Sequence, residues 1–255
     1  MTLSGTLFFG NRQFRLQEVD STNTFALDLL KMNAVHEGAV IIAEKQTSGR
    51  GQRGNSWVAE AGKNLTVSYV LKPSFLSPAA QFDLNRFVSL AVTDVLNELL
   101  PGFTICIKWP NDILISGKKI CGILIENTIS GRQISGSVAG IGLNINQEFF
   151  GENAINAVSL KMISGKEFDR ESILQRLHHA MEARYIQLRS GNTEQLRTQY
   201  ENKLFRKGEP TQFSDGHHEF TGTPEYVTPE GLLVVTVNGA IRFFAFKEIV
   251  WLKQD

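Results

Sequence analysis

One stretch constrains the fold more than any other. Across residues 83–100, Leu84, Phe87, Val88, Ala91, Val92, Val95 and Leu99 recur at three- and four-residue spacing. That spacing draws one apolar stripe along an α-helix, and such a stripe must be buried against another element. Short apolar runs lie on both sides of it: 39–43 (AVIIA), 64–71 (NLTVSYVL), 104–108, 112–116, 119–126 and a glycine-rich run over 135–145. Their length and β-branched content predict strands, with Ser116-Gly117-Lys118 turning one hairpin. Asp20-Ser21-Thr22-Asn23 is a run of helix-capping residues, followed by Phe25, Ala26, Leu29 and Leu30 near helical spacing. Two more helices are expected over 171–188 and 193–204. The fold class is therefore α+β, a mixed sheet with packed helices.

The pattern changes near Lys207. Beyond it, short strand-like runs are broken by Asp215-Gly216, Pro229-Glu230-Gly231 and Asn238-Gly239, which are turn and hairpin signals. About fifty residues of this kind predict a small closed or nearly closed β-barrel. A chain of 255 residues accommodates a larger domain over 1–205 and this small one over 206–255.

Charge and composition exclude several functions. Lys plus Arg is 26 and Asp plus Glu is 26, so the basic excess of a general nucleic-acid binder is absent. The N-terminus has no basic region ahead of an apolar run, and no apolar run approaches the ~18 residues of a membrane span. Two cysteines, Cys106 and Cys121, make no disulfide framework, and a reduced, cytoplasmic setting is expected.

Chemistry concentrates in four places. Gly49-Arg50-Gly51-Gln52-Arg53-Gly54 matches the letters of a dinucleotide fingerprint, but Asn55-Ser56-Trp57-Val58 does not open a helix. No G-K-[ST] follows either, so it is not a P-loop. What remains is a flexible loop with two guanidinium groups suited to carboxylate or phosphate. Lys108-Trp109-Pro110-Asn111-Asp112 crowds polar and aromatic groups into a strand connection that Pro110 bends. In Lys119-Ile120-Cys121-Gly122-Ile123, strict alternation puts Lys119, Cys121 and Ile123 on one face. A lysine facing inward needs an anion. Gly140-Ile141-Gly142-Leu143-Asn144 puts glycines in a strand, which implies that something lies close against it.

Other features have plainer readings. His178-His179 and His217-His218-Glu219 lack metal-ligand spacing, no side-chain metal site is expected, and both cysteines read as core residues.

Together the four sites resemble the biotin protein ligase family. The match runs through Ser21-Thr22-Asn23, Gln46, the 49–54 loop, Trp57, Lys108–Asp112, Lys119–Leu124 and Gly142-Leu143-Asn144 in the family's order. The resemblance implies a monofunctional ligase without a DNA-binding repressor domain, and a C-terminal barrel of Src-homology type. It implies two steps: biotin and ATP form biotinyl-AMP, and a lysine of a biotin carboxyl carrier protein then takes the biotin. Carried over position by position, it makes Lys119, Asp112 and Arg50 catalytic. Ser21, Thr22, Asn23, Gln46, Gly49, Arg50, Gly51, Gln52, Lys119 and Gly122 would bind biotin. Arg53, Trp57, Lys108, Asn111 and Asn144 would bind ATP. Mg²⁺ is expected on the phosphates. A homodimer is also implied, and neither a nucleic acid nor a membrane is an expected partner. Gln52 stands where relatives often carry another loop arginine. The alternative of the same fold is a lipoate or octanoate ligase.

Overall fold

The computed structural model describes residues 5–151 and 156–252, with the side chain of Arg53 also left out. A seven-stranded mixed sheet forms its centre: β1 (Gln13–Val19), β2 (Val40–Gln46), β3 (Leu65–Leu71), β4 (Ile105–Lys108), β5 (Asp112–Ile115), β6 (Lys118–Ser130) and β7 (Gln133–Leu143). The spatial order is β1-β2-β3-β7-β6-β5-β4. β1 and β2 run parallel, and every other neighbouring pair is antiparallel. All seven residues of β3 are buried, so it reads as a continuous apolar run rather than an alternation.

The two faces of the sheet have different fillings. Val40, Ile42, Val67, Tyr69, Cys121, Ile123, Ala139 and Ile141 enter the main core, with α2 (Phe82–Leu99) and α4 (Arg170–Arg189) packed together over that face. The expected stripe residues Leu84, Phe87, Val88, Ala91, Val92 and Val95 are all buried there. On the opposite face, α1 (Thr22–Lys31) covers Ile41, Val70 and Val138 in a second, smaller core. That helix covers only part of its face. Beyond its N-terminus the sheet presents Thr66, Gly122, Leu124, Gly140 and Gly142 to an open cavity. The alternation that fills the core with apolar groups thus gives the other face its small and polar ones.

The C-terminal region is a second, antiparallel sheet: β8 (Thr211–Ser214), β9 (Glu219–Val227), β10 (Leu233–Val237), β11 (Ala240–Phe244) and β12 (Val250–Trp251), in the order β11-β10-β9-β8-β12. Asn238 and Gly239 both take positive φ, 50° and 79°, the requirement of the tight turn between β10 and β11. The expected barrel is not closed by strand pairing: among the described residues β11 and β12 remain the two ends of the sheet. A short helix, α3 (Leu160–Ser164), precedes α4, and residue 206 lies between α5 (Thr193–Glu201) and β8.

One ionic cluster ties the two sheets together. Arg86 and Asp83 on α2 are fully buried and 2.6 Å apart. Arg86 Nη2 donates to the carbonyls of Val227 and Thr228 at 2.9 and 2.6 Å. Arg197 on α5 reaches the other Asp83 oxygen at 2.8 Å. Trp109 Nε1 donates to Gly231 O in the same β9–β10 connection at 3.0 Å.

The polar edge strand β1 was not legible from apolar patterning. The helix over 193–204 ends earlier, at Glu201, and residues 203–205 then cover the free edge of β4 through Ile107 N to Lys203 O and Phe205 N to Ile107 O.

Candidate active site

The site is a cavity of about 510 Å³ over the glycine-bearing stretch of the sheet. Its first wall is a polar seat. Ser21 caps α1, which sets Thr22 and Asn23 on the first helical turn, facing the sheet. Gln46, the last residue of β2, accepts from Thr22 N at 2.8 Å and Thr22 Oγ1 at 3.1 Å. Ser68 Oγ stands 2.7 Å from Thr22 Oγ1 and 2.6 Å from Asn23 Oδ1. The Asn23 amide nitrogen donates to Leu124 O at 3.2 Å and to Glu126 at 3.0 Å. A Cβ on Gly140 would stand 2.2 Å from Asn23 Oδ1, so that strand position is restricted to glycine.

The second wall is aromatic. Trp57 lies over Gly122 and Gly142, which face each other across β6 and β7. A Cβ on Gly142 would come within 2.3 Å of the indole, and one on Gly122 within 3.1 Å. The strand glycines signal a close approach, as expected, and here Trp57 and Asn23 make it. Trp57 Nε1 is buried without a hydrogen-bond partner.

The third wall is charged. Lys119 Nζ pairs with Asp112 at 2.7 Å, both side chains about one-third exposed or less, and stands 5.7 Å over the Trp57 ring. Alternation alone would put Lys119 on the face of Cys121. A bulge overturns that: Cys121 pairs with Ile113 but Lys119 pairs with Leu114, leaving Ile120 unmatched. Ile120 and Cys121 both enter the core, and Lys119 turns to the side of Gly122. Its backbone is held from the other side by Lys119 N to Asn156 O at 2.7 Å and Val158 N to Lys119 O at 2.9 Å. Lys108 lines the same wall. Burial pulls its ammonium below the ordinary lysine value, with Lys119 adding to the shift and Asp112 opposing it. The charged residues lining the cavity are Arg50, Lys108, Lys119 and Lys247 against Asp112. Arg50 is paired with Glu126, and Lys108 and Lys119 share Asp112 between them, an arrangement that favours a polyanion.

Most of the expected site residues meet here. Ser21, Thr22, Asn23, Gln46, Arg50, Gly51, Gln52, Trp57, Lys108, Asn111, Asp112, Lys119 and Gly122 all line the cavity. Gly49 sits just behind it, where a Cβ would strike Trp57 O at 2.2 Å. Asn111 Nδ2 donates to Ile123 O at 2.7 Å, bracing the strand connection, whose Trp109–Pro110 bond is cis. Asn144 lies outside the lining. Its Nδ2 donates to Val158 O at 3.1 Å, and its Oδ1 is buried without a partner. The expected part of Arg53 falls on a side chain outside the described residues. Burial pushes the thiols of Cys106 and Cys121 up, but only Cys121 is a core residue; Cys106 is partly buried on the other side of β4 from Ile105 and Ile107 and lies outside both core clusters, so the core role expected for it is not met.

Several lining or supporting residues escaped the sequence reading. Ser68 offered one signal, a small hydroxyl residue between Val67 and Tyr69 in a strand that is otherwise largely apolar. Glu126 offered none beyond its place on β6. Phe246, Lys247 and Trp251 reach the cavity from the C-terminal sheet, a proximity that local sequence cannot encode.

Comparison with known proteins agrees with this arrangement. A family model described as the biotin/lipoate A/B protein ligase family matches residues 15–144. A biotin–[acetyl-CoA-carboxylase] ligase from Paracoccus denitrificans is 32% identical over 225 residues, covering 86% of this chain and 92% of that protein. The enzyme of the same name from Mycobacterium tuberculosis is 31% identical over 239 residues, covering 92% and 87%. The structure of biotin protein ligase from Aquifex aeolicus in complex with biotin and ATP superposes with a TM-score of 0.79 at 26% identity, over 96% of this chain and 100% of that one. On a matched segment that carries all three cavity walls, and on relatives that it covers almost end to end, the chain belongs to the biotin/lipoate A/B protein ligase family.

Proposed function

We propose that this chain is an adenylate-forming biotin protein ligase. It joins biotin to ATP as biotinyl-AMP and passes the biotin to a lysine of a carboxyl carrier protein. One observation carries the reading: the cavity has a neutral hydrogen-bonding seat at one end and a cluster of cations at the other. Biotin has a ureido group to fill the first and a carboxylate to meet ATP at the second. The names of the relatives support the same substrates and acceptor.

In the first step the biotin carboxylate attacks the α-phosphorus of ATP and pyrophosphate leaves. Two anions must approach each other, and their repulsion is strong where water is partly excluded. Lys119 and Lys108 offset that charge. Thr22, Asn23 and Gln46 orient the ureido end, and Trp57 packs over the ligand with an indole N–H free to donate. Asn144 is proposed to meet the nucleotide through its unpartnered Oδ1.

In the second step the acceptor amine attacks the acyl carbon and AMP leaves. The amine has an ordinary pKa of about 10.4 and must shed a proton. Asp112 takes this role once a ligand anion draws Lys119 away from it. Mg²⁺ would arrive on the nucleotide. No group of three or more His, Cys, Asp or Glu suited to a metal occurs among the described residues, and Asp112, which lines the cavity, is already paired with Lys119. We place the reaction in the cytoplasm, where ATP and carrier proteins meet. No helix among the described residues is long and apolar enough to cross a membrane.

The test is pyrophosphate release on mixing with ATP and either biotin, lipoate or octanoate, followed by mass analysis of an added carrier domain. Release with biotin and a biotin adduct on one lysine are expected. Release with lipoate or octanoate alone would assign the lipoate branch instead. Neither lipoate nor octanoate has N–H or carbonyl groups at its far end to fill the polar seat.

A further inference from the structure

The loop after β2 is closed upon itself. Arg50 bridges Ser56 in an antiparallel turn. Gly51 N donates to Asn55 O at 2.7 Å and Trp57 N to Gly49 O at 2.9 Å. The Arg50 side chain reaches out of this turn to another element. Its Nη2 lies 2.8 Å from Glu126 Oε1, its Nη1 3.2 Å from Glu126 Oε2, and Nη1 also lies 3.5 Å from Thr24 Oγ1. Glu126 stands on the cavity face of β6, in two-residue step with Gly122 and Leu124. The same Glu126 Oε2 accepts from Asn23 Nδ2 at 3.0 Å.

We infer that Glu126 is a positioning residue for the ligase reaction. Together with Arg50 it forms a latch that holds the 49–55 loop, and Trp57 behind it, down on the N-terminal end of α1. This rests on the ligase reading above and gives Arg50 a role that family position alone does not. A two-pronged guanidinium–carboxylate pair fixes the plane of the arginine as well as its distance. It also neutralises the charge, so Lys108 and Lys119 carry the electrostatic work on the phosphates. The pair is half exposed on the arginine side (47%), so it is weak enough to open and is screened by salt. Ligands can then enter and leave, while the intermediate is kept when the latch is shut. Because one carboxylate also holds Asn23, the polar seat and the loop share a support.

Charge reversal separates a latch from a direct ligand contact. Arg50→Glu and Glu126→Arg, each alone, are expected to release biotinyl-AMP at least about fivefold faster, read as biotin label on added albumin. The double variant Arg50→Glu/Glu126→Arg restores the pair and is expected to return release to within about twofold of wild type. Glu126→Gln should match the single reversals, and about 0.5 M salt should speed release from wild type but not from this variant. In ligand-free protein, proteolytic cutting within 49–55 should be faster in Glu126→Gln than in wild type. A double variant as leaky as Arg50→Glu, or equal cutting in both proteins, overturns the latch. Wild type that makes no adenylate at all would instead sink the ligase reading, while the proteolysis arm would still judge the latch.

Discussion

Two ionic clusters in this molecule use the same chemistry under opposite conditions. At the junction of the sheets, Asp83 and Arg86 are fully buried and Arg197 is 20% exposed. Both Asp83 oxygens and four guanidinium nitrogens, two from each arginine, are hydrogen-bonded within the fold. Around the cavity, Asp112–Lys119 and Glu126–Arg50 are 23–47% exposed. Removing one partner of a dry pair strands an uncompensated charge, whereas a wet pair is worth little and can be traded. The first cluster therefore holds the two sheets together. In the second, Asp112 holds Lys119 ready for ligand anions, while Glu126 and Arg50 can open and re-form as the loop moves.

The largest expected effect tests the dry cluster. Asp83→Asn leaves two guanidinium groups around a neutral amide, with Arg86 still buried. It should cost about 3–5 kcal/mol of stability, read as a fall in the denaturant midpoint at unchanged slope. Glu126→Gln should cost under about 1 kcal/mol in the same assay. Equal losses would erase the distinction.

A smaller effect belongs to His178, buried on α4. Its Nδ1 lies 2.8 Å from Tyr69 Oη and its Nε2 3.5 Å from Gln13 Nε2. Burial pulls its pKa from 6.5 to about 4, partly opposed by Glu171. The unfolded chain then binds more protons than the folded one between those values. Stability therefore falls as pH drops from 6.5 towards 4, by roughly 3 kcal/mol from this group. His178→Gln should flatten that part of the pH profile of Tm relative to wild type. An unchanged slope would mean that His178 titrates normally.

Smaller again, Gly142→Ala must displace the Trp57 indole. The strain should cost about 1–3 kcal/mol and raise the KM for biotin, while Gly117→Ala, at an exposed hairpin turn, should leave KM unchanged. An unaltered KM in Gly142→Ala would show that Trp57 can shift without consequence for the ligand.

These cases also explain what the sequence could convey. The helix over 83–100 was legible because seven apolar residues keep one phase. The cavity-lining motifs were legible because their residue types are unusual in strand connections. β1 escaped because a polar edge strand with one neighbour needs no apolar pattern: only Phe14, Leu16 and Val19 interrupt its polar residues. The direction of Lys119 escaped because a single unmatched residue, Ile120, reverses the phase of everything before it. Glu126 escaped because its meaning lies in Arg50, 76 residues away.

The most direct test of the exchange at the cavity is the rate of biotin-dependent pyrophosphate release by Lys119→Ala at saturating biotin and ATP. Losing the cation that leaves Asp112 for the reacting anions should slow this step by at least about 100-fold, with the denaturant midpoint close to wild type. Pyrophosphate release at the wild-type rate would contradict the assignment of Lys119 and, with it, the idea that the Asp112–Lys119 pair is there to be exchanged for substrate.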